Sequence, residues 1–338
     1  NEYGYHIKGA ASVKYSEEYL PWSSFLNRKG GLQKVAAVSG KRKRNKINKD
    51  NAGYFFIAPY FIVFLTFTLY PILYTFKLSF MSWDGFGEQQ FIGLANYQRL
   101  LQDQMFIKSI GNTIFIALLA MIPQMVFGLV LAFLLNQKKL RGSNFFKTVF
   151  YFPNLVTAVS LGVLFSLLFD WKAGSVNQVL MTLHIIKDPI NWKGSPLLSQ
   201  LIVALVLFWQ YFGYYTIIFT AGIRGIPYEL FEAAEVDGAS KVQTFFKIVL
   251  PLMRPIMTFA FVTSIIGGLQ IFDLPYTFGG AMGGTKASLL TMVMYMYNIA
   301  FTNLDYGYGA AISYGLFVII IVFSIIFMKY TTGKKEQY

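Results

Sequence analysis

The sequence predicts an all-α polytopic membrane protein, with six transmembrane helices and a helix-turn-helix loop between the fourth and the fifth. Three observations predict it. The 338 residues are 55% hydrophobic and only 13% charged, whereas soluble domains carry about 25% charged residues. The apolar residues gather in six runs, 54–76, 113–135, 149–169, 201–223, 256–272 and 311–328, each near the ~20 residues needed to cross a bilayer. Finally, Lys and Arg collect in alternate loops, the asymmetry that orients membrane helices.

Composition closes off several kinds of chemistry. No cysteine is present, so a disulfide framework, a thiolate metal site and a Cys nucleophile are excluded. His6 and His184 alone leave little for a histidine metal or acid–base centre. The net charge of +13 would suit nucleic acid, but it lies in loops between apolar runs and reads as a topology signal.

Residues 1–50 form a polar N-terminal extension, punctuated by Gly30-Gly31 and Ser39-Gly40. No apolar run follows a basic start, so it does not resemble a signal peptide. It ends in Lys41-Arg42-Lys43-Arg44-Asn45-Lys46-Ile47-Asn48-Lys49. Such a run suits RNA or acidic lipid; beside a first membrane helix it reads as a cytoplasmic anchor. Residues 51–338 are then the membrane domain. Pro59, Pro71, Pro123 and Pro153 interrupt its runs, which membrane helices tolerate when neighbours satisfy the freed carbonyls. An N-terminus inside the cell puts residues 41–49, Lys138, Lys139, Arg141, Lys147, Arg224, Lys241, Lys247, Arg254, Lys329, Lys334 and Lys335 on the cytoplasmic side. The outer side receives Lys77, Arg99, Lys108, Lys172, Lys187, Lys193 and Lys286. The imbalance places both termini inside.

The loop at about 224–255 then faces the cytoplasm, and the rest of the chain is arranged around it. Pro227 suits a first helical turn, and Glu229 and Glu232 complement the positive helix end. Gly238 stops that helix. Ser240 and Gln243 form a capping box that opens a second, and Pro251 ends it. Leu230, Ala233 and Ala234 share one face of the first helix; Val242, Phe245, Phe246 and Val249 share one of the second. An apolar stripe outside the membrane needs something to dock against.

Glu232-Ala233-Ala234, Asp237-Gly238-Ala239, Phe245, Ile248, Leu250-Pro251 and Pro255 together resemble the EAA loop of ABC-importer permeases, over some thirty residues without a gap. Outer segments resemble the same group: Phe91-Ile92-Gly93-Leu94-Ala95-Asn96-Tyr97, Phe272-Asp273-Leu274-Pro275, and Tyr306-Gly307-Tyr308-Gly309-Ala310-Ala311. The likeness is greatest to the carbohydrate-uptake subgroup (maltose, glycerol-phosphate and multiple-sugar type), and within it to the first of two permeases. The 1–50 extension and Gly283-Gly284-Thr285, where many relatives carry Gly-Pro, depart from it. The resemblance implies a type I permease fold and a loop that couples to an ATPase through Glu229, Glu232, Ala233, Ala234, Asp237, Gly238, Ala239, Phe245 and Pro251. It also implies a second, different permease subunit, two ATPase subunits that hold the ATP and Mg, and an extracytoplasmic solute-binding protein. The expected cargo is a carbohydrate, the expected location the cytoplasmic membrane of a bacterium or archaeon, and the mechanism alternating access.

The residues themselves point the same way. No phosphate-binding Gly-x-x-x-x-Gly-Lys-Ser/Thr occurs, as Gly40-Lys41 and Gly333-Lys334 lack the earlier glycine, so this chain has no P-loop for ATP. No apolar run has an interior Asp, Glu, Lys, Arg or His, the usual mark of proton- or ion-coupled transport. Energy must therefore come from a partner; no metal or cofactor is expected on this chain. What remains inside the helices is aromatic and amide, including Gln124, Asn154 and residues 208–215. Sugars stack on rings and hydrogen-bond to amides and phenols, so Trp209, Gln210, Tyr214, Gln270 and Tyr314 are candidates for the pathway. The same residues also suit an interfacial aromatic belt or interhelical glue. A membrane glycosyl- or acyltransferase would need catalytic groups converging at one membrane face, yet no His or Cys lies near the acidic cluster 229–237 in sequence. A helix-turn-helix reading nucleic acid would need a basic excess, and residues 224–254 are balanced.

Overall fold

The computed structural model of the protein describes residues 49–137 and 141–332. The predicted extension up to residue 48, with most of its basic run, lies outside them, as do Lys138, Lys139, Lys334 and Lys335. The chain divides into two compact units, one ending at Ile62 and the other starting at Val63. In the first unit the described residues belong to α1 (Lys49–Phe64), which carries Pro59 without a break.

In the second unit a widened turn, Leu65–Leu69, leads into α2 (Tyr70–Leu78). Two short strands, β1 (Met81–Ser82) and β2 (Gln90–Phe91), pair antiparallel, with Met81 opposite Phe91. Then come α3 (Ala95–Gln102), α4 (Gln104–Leu135), α5 (Ser143–Tyr151), α6 (Ala158–Leu168) and α7 (Ser175–Thr182). They are followed by α8 (Pro196–Arg224), α9 (Tyr228–Val236), α10 (Lys241–Thr244) and α11 (Leu250–Leu252). The chain closes with α12 (Arg254–Leu269), α13 (Asp273–Gly279), α14 (Met292–Tyr297) and α15 (Tyr306–Thr332).

Among the described residues, five helical stretches are long and apolar enough to cross a bilayer: Gly53–Leu78, Gln104–Leu135, Pro196–Arg224, Arg254–Gly279 and Tyr306–Lys329. The third predicted span is different. Hydropathy treats 149–169 as one run, but α5 and α6 meet at an angle of 88°. Pro153 lies in a tight turn, Phe152–Leu155, and Val156 is extended (φ −83°, ψ 135°). Thr157 then caps α6 by accepting from the Ser160 amide at 3.2 Å. Proline denies the helix a donor, and a side-chain cap beyond it starts a new one. Counted as one broken span, the pair makes six. The fifth span is also interrupted, at Gln270–Phe272, before α13 resumes.

The centre is the pair α4 and α8, and small residues set how closely its neighbours come. A Cβ on Gly128 of α4 would stand 3.0 Å from the Tyr215 Cβ of α8. On Gly213 of α8 it would stand 1.8 Å from the carbonyl oxygen of Phe150, so α5 is seated directly on α8 there.

The loops gather at two ends of the bundle. At one end Arg99 pairs with Asp305 at 2.7 Å, the Tyr306 amide donates to the Trp83 carbonyl at 3.0 Å, and the Thr285 hydroxyl donates to the Lys193 carbonyl at 2.7 Å. At the other, Arg224 Nε donates to Asn136 Oδ1 at 3.3 Å, and Lys241 Nζ donates to Gln137 Oε1.

Asp103 ties the first of these ends together. It caps α4 by accepting from the amides of Met105 (2.9 Å) and Phe106 (3.2 Å). Its Oδ2 also accepts from the phenols of Tyr295 and Tyr308, each at 2.5 Å. Burial pushes this carboxyl up, but the two phenols and the two amides outweigh it and hold it below the usual carboxylate range. A lowered folded value means stability that is fully present at neutral pH and lost as the pH falls below about 4. Asp103→Asn is expected to cost ~1–3 kcal/mol at pH 7, read as thermal unfolding in detergent. The gap between parent and variant should narrow below about pH 4; a gap independent of pH would show that ionised Asp103 is not the cause.

Candidate functional site

Two places carry the chemistry singled out above: the loop around Gly238 at one end and a cavity in the middle of the bundle.

The loop is built by local hydrogen bonding. Pro227 (φ −52°, ψ 131°) precedes α9 as its cap, one residue earlier than the predicted first-turn position. Glu229 lies in the first turn and Glu232 beyond it, so only Glu229 meets the positive helix end directly. Gly238 has φ +72°. Its amide donates to the Glu235 carbonyl at 3.1 Å, and that of Ala239 to the Ala234 carbonyl at 2.8 Å. This pair of bonds is a Schellman closure, which requires the left-handed residue. The capping box follows as predicted: Gln243 N donates to Ser240 Oγ at 3.2 Å, and Ser240 N to Gln243 Oε1 at 2.7 Å. Pro251 does not end the second helix. It sits in the first turn of α11, behind a widened turn at Phe245–Val249, and the chain runs through Met253 into α12. A widened turn makes room for the ring that an ordinary turn would exclude.

The two predicted stripes are each divided. Ala234 and Val249 are buried, and the Phe245 ring packs against that of Phe133, tilted at 59° with centroids 5.1 Å apart, anchoring the loop to the bundle. Leu230, Val236, Val242 and Phe246 face outward, at 41, 87, 65 and 59% exposure. Glu229, Glu232, Ala233, Asp237, Gly238 and Pro251 are exposed with them, and Ala239 is half-buried. The loop therefore presents an apolar surface edged by carboxylates and held from behind by the other half of each stripe.

The cavity, of about 240 Å³, is lined by α4, α8 and α12. Its polar wall is Gln124, Tyr211, Tyr214, Tyr215, Thr263 and Ser264. Gln124 Nε2 donates to Ser264 Oγ at 2.9 Å, and the Tyr214 and Tyr215 rings stand edge to face at 5.2 Å. Of the five residues predicted for the pathway, Tyr214 alone lines it. Trp209 packs on Phe165 at 5.8 Å. Gln210 is buried and donates to the Val156 carbonyl at 3.1 Å, holding the break in the third span. Gln270 is exposed at the end of α12. Tyr314 donates to the Ile72 carbonyl at 2.7 Å and packs on Phe76 at 5.0 Å, joining α15 to α2. Tyr211 and Tyr215 belong to the aromatic stretch 208–215 but not to the five candidates, and Ser264 belongs to neither, although Tyr211, Tyr214 and Tyr215 repeat at helical spacing and so share a face. The wall offers phenols, hydroxyls and an amide, and no carboxylate, ammonium or guanidinium. It suits ring stacking and hydroxyl hydrogen bonds. Among the described residues no group of three His, Cys, Asp or Glu is gathered to hold a metal.

Residues 113–332 match the family described as binding-protein-dependent transport system inner membrane component. The lactose transport system permease protein of Rhizobium radiobacter is 32% identical over 290 residues, covering 85% of this chain and 96% of that protein. An arabinooligosaccharides transport system permease protein of Bacillus subtilis is 33% identical, covering 86% of this chain and 91% of its own. The trehalose/maltose transport system permease protein of Thermococcus litoralis is 31% identical, covering 84% and 95%. Among solved structures, a bacterial ABC transporter that imports the acidic polysaccharide alginate has a chain that superposes with a TM-score of 0.72 at 21% identity. It covers 86% of this chain and 98% of its own.

Proposed function

This chain belongs to the family of binding-protein-dependent transport system inner membrane components, and from that premise we propose that it is the permease subunit that carries an oligosaccharide into the cell. The single observation that carries the cargo is the cavity wall of three tyrosines, a glutamine, a serine and a threonine, the group types that bind polyhydroxylated rings. The names of its relatives, permeases for lactose, arabinooligosaccharides and trehalose/maltose, support the same class.

The energy comes from two separate ATPase subunits, which hold ATP and Mg. The exposed face of α9 and α10, with Glu229, Glu232, Ala233, Ala234, Asp237, Gly238, Ala239, Phe245 and Pro251 in or beneath it, docks on them. Closure of the ATPases moves this loop, and the buried half of its stripes passes the motion to the bundle. Both termini are cytoplasmic, residues 1–50 forming an extension and 51–338 the permease domain. A second, different permease subunit completes the pathway, and a solute-binding protein delivers the cargo from outside.

Orientation and cargo can be tested together, because the chain has no cysteine. In the assembled transporter, Glu235→Cys should react with a membrane-impermeant thiol reagent only after cells are opened, and Asp188→Cys in intact cells. Both variants should retain uptake of labelled oligosaccharide. Reversed labelling would overturn the orientation and with it the docking role of the loop. Unchanged labelling without oligosaccharide uptake, in cells supplied with all partner subunits, would overturn the cargo.

A further inference from the structure

Residues 280–291 fold into a compact cap at the end of the bundle opposite the Gly238 loop. Its backbone is strained. Gly280, Gly283 and Gly284 have positive φ, and so do two residues with side chains, Lys286 (φ 51°) and Ala287 (φ 49°). Left-handed backbone costs free energy for any residue with a Cβ, and two in succession persist only where the surroundings hold them.

Two amides from the central helices do so. Asn112 of α4 donates through Nδ2 to the carbonyls of Ala287 (2.8 Å) and Leu290 (3.0 Å). Gln200 of α8 donates through Nε2 to the Ser288 carbonyl (2.8 Å) and to Asn112 Oδ1 (3.2 Å). The cap also reaches the cavity wall: Thr291 Oγ1 donates to the carbonyl of Ile271, which lines the cavity, at 2.8 Å. Along α4, Asn112 is five residues outward from the cavity residue Ala117, about 7.5 Å; along α8, Gln200 is seven outward from Leu207, about 10 Å. Ile116, Leu207, Leu274, Phe278 and Leu289 are buried in one cluster, and Leu207 of that cluster also lines the cavity.

We propose that Asn112 and Gln200 are positioning residues of the transport cycle: they clasp a strained cap over the outer mouth of the cavity and so hold the pathway shut toward the side from which cargo arrives. The clasp bonds offset the left-handed strain at Lys286 and Ala287. When α4 and α8 separate at their outer ends, the amides leave the three carbonyls and the strain drives the cap away from the mouth. Opening is thereby confined to the step that spreads these two helices.

The proposal rests on the cavity being the pathway, and the test separates the two. Thr263→Cys places a thiol in the cavity wall of the otherwise cysteine-free chain. The whole transporter, with its partner permease, ATPase subunits (all made cysteine-free) and binding protein, is reconstituted in vesicles. An impermeant thiol reagent is added on the binding-protein side. With the clasp intact, labelling should be slow at rest and fast during turnover. Asn112→Ala and Gln200→Ala should each label at rest at least ~10-fold faster than the parent. The double variant should gain less than the product of the two, since both act on one clasp. Absence of labelling in the parent during turnover would overturn both the pathway and the clasp. Labelling in turnover, with resting rates in both variants equal to the parent's, would overturn the clasp alone. If Asn112→Ala fails to assemble, Gln200→Ala, whose side chain is only half-buried, decides.

Discussion

Gly213→Ala is expected to destabilise the bundle more than any comparable change of one methyl group. A Cβ at this position would lie 1.8 Å from the carbonyl oxygen and 2.3 Å from the carbonyl carbon of Phe150, and 2.8 Å from the Tyr151 amide. These are backbone atoms of α5, which cannot turn aside as a flexible side chain would. The neighbouring Phe150 and Phe212 rings, 5.6 Å apart, would be forced to part as α5 moves. Overpacking a well-formed interior costs typically ~1–3 kcal/mol, and a backbone clash belongs at the top of that range or above it. The control is Gly267→Ala in α12, where an added Cβ meets nothing within 4 Å. There alanine should be neutral or gain ~0.5–1 kcal/mol, the ordinary benefit in a helix interior. Thermal unfolding of the two variants in one detergent reads the difference. If Gly213→Ala is as stable as Gly267→Ala, α5 does not seat on α8 as described.

That contact also shows where sequence reading reaches its limit. Six apolar runs, two loop ends and the Gly238 turn are legible because each depends on residues close in sequence. Hydropathy integrates over a window, and a cap or a Schellman closure needs only five or six positions. The break at Val156 is not legible in the same way. Pro123 lies inside the unbroken α4, whereas Pro153 accompanies an 88° bend. What differs is the surroundings: Gln210 from α8 receives the freed Val156 carbonyl, and the Thr157 cap restarts the helix. The same limit governs the cavity. Trp209, Gln210 and Tyr214 have the right chemistry, but the part of α8 that lines the cavity is Leu207, Tyr211, Tyr214 and Tyr215. Chemistry alone selects residue types, and only packing selects the face. Gln270 and Tyr314 offer an amide and a phenol of the kind that binds sugar; one is exposed at a helix end and the other donates to the α2 backbone.

Gly238→Val should uncouple transport while leaving the membrane helices inserted. No atom lies within 4 Å of a Cβ at this position, so the cost is purely conformational. With φ at +72°, a β-branched residue must either endure the left-handed region, at ~1–2 kcal/mol, or abandon it. Abandoning it breaks both closing bonds, Gly238 N to Glu235 O and Ala239 N to Ala234 O, and turns α10 relative to α9. Leu230 and Val236 on one helix, and Val242 and Phe246 on the other, then no longer form one surface for the ATPase. A loss of ~1–2 kcal/mol in the docked geometry corresponds to a roughly 5–30-fold fall in uptake. Co-purification of the ATPase subunit should fall with it, while the unfolding temperature of the isolated chain changes little because the loop's anchors at Ala234, Phe245 and Val249 are untouched. Gly238→Asn is the discriminating partner, since asparagine tolerates the left-handed region, and it should keep most of the uptake. Parent-level uptake in Gly238→Val would show that the turn does not set the geometry of docking, and the coupling role assigned to Glu229, Glu232, Asp237 and their neighbours would fall with it.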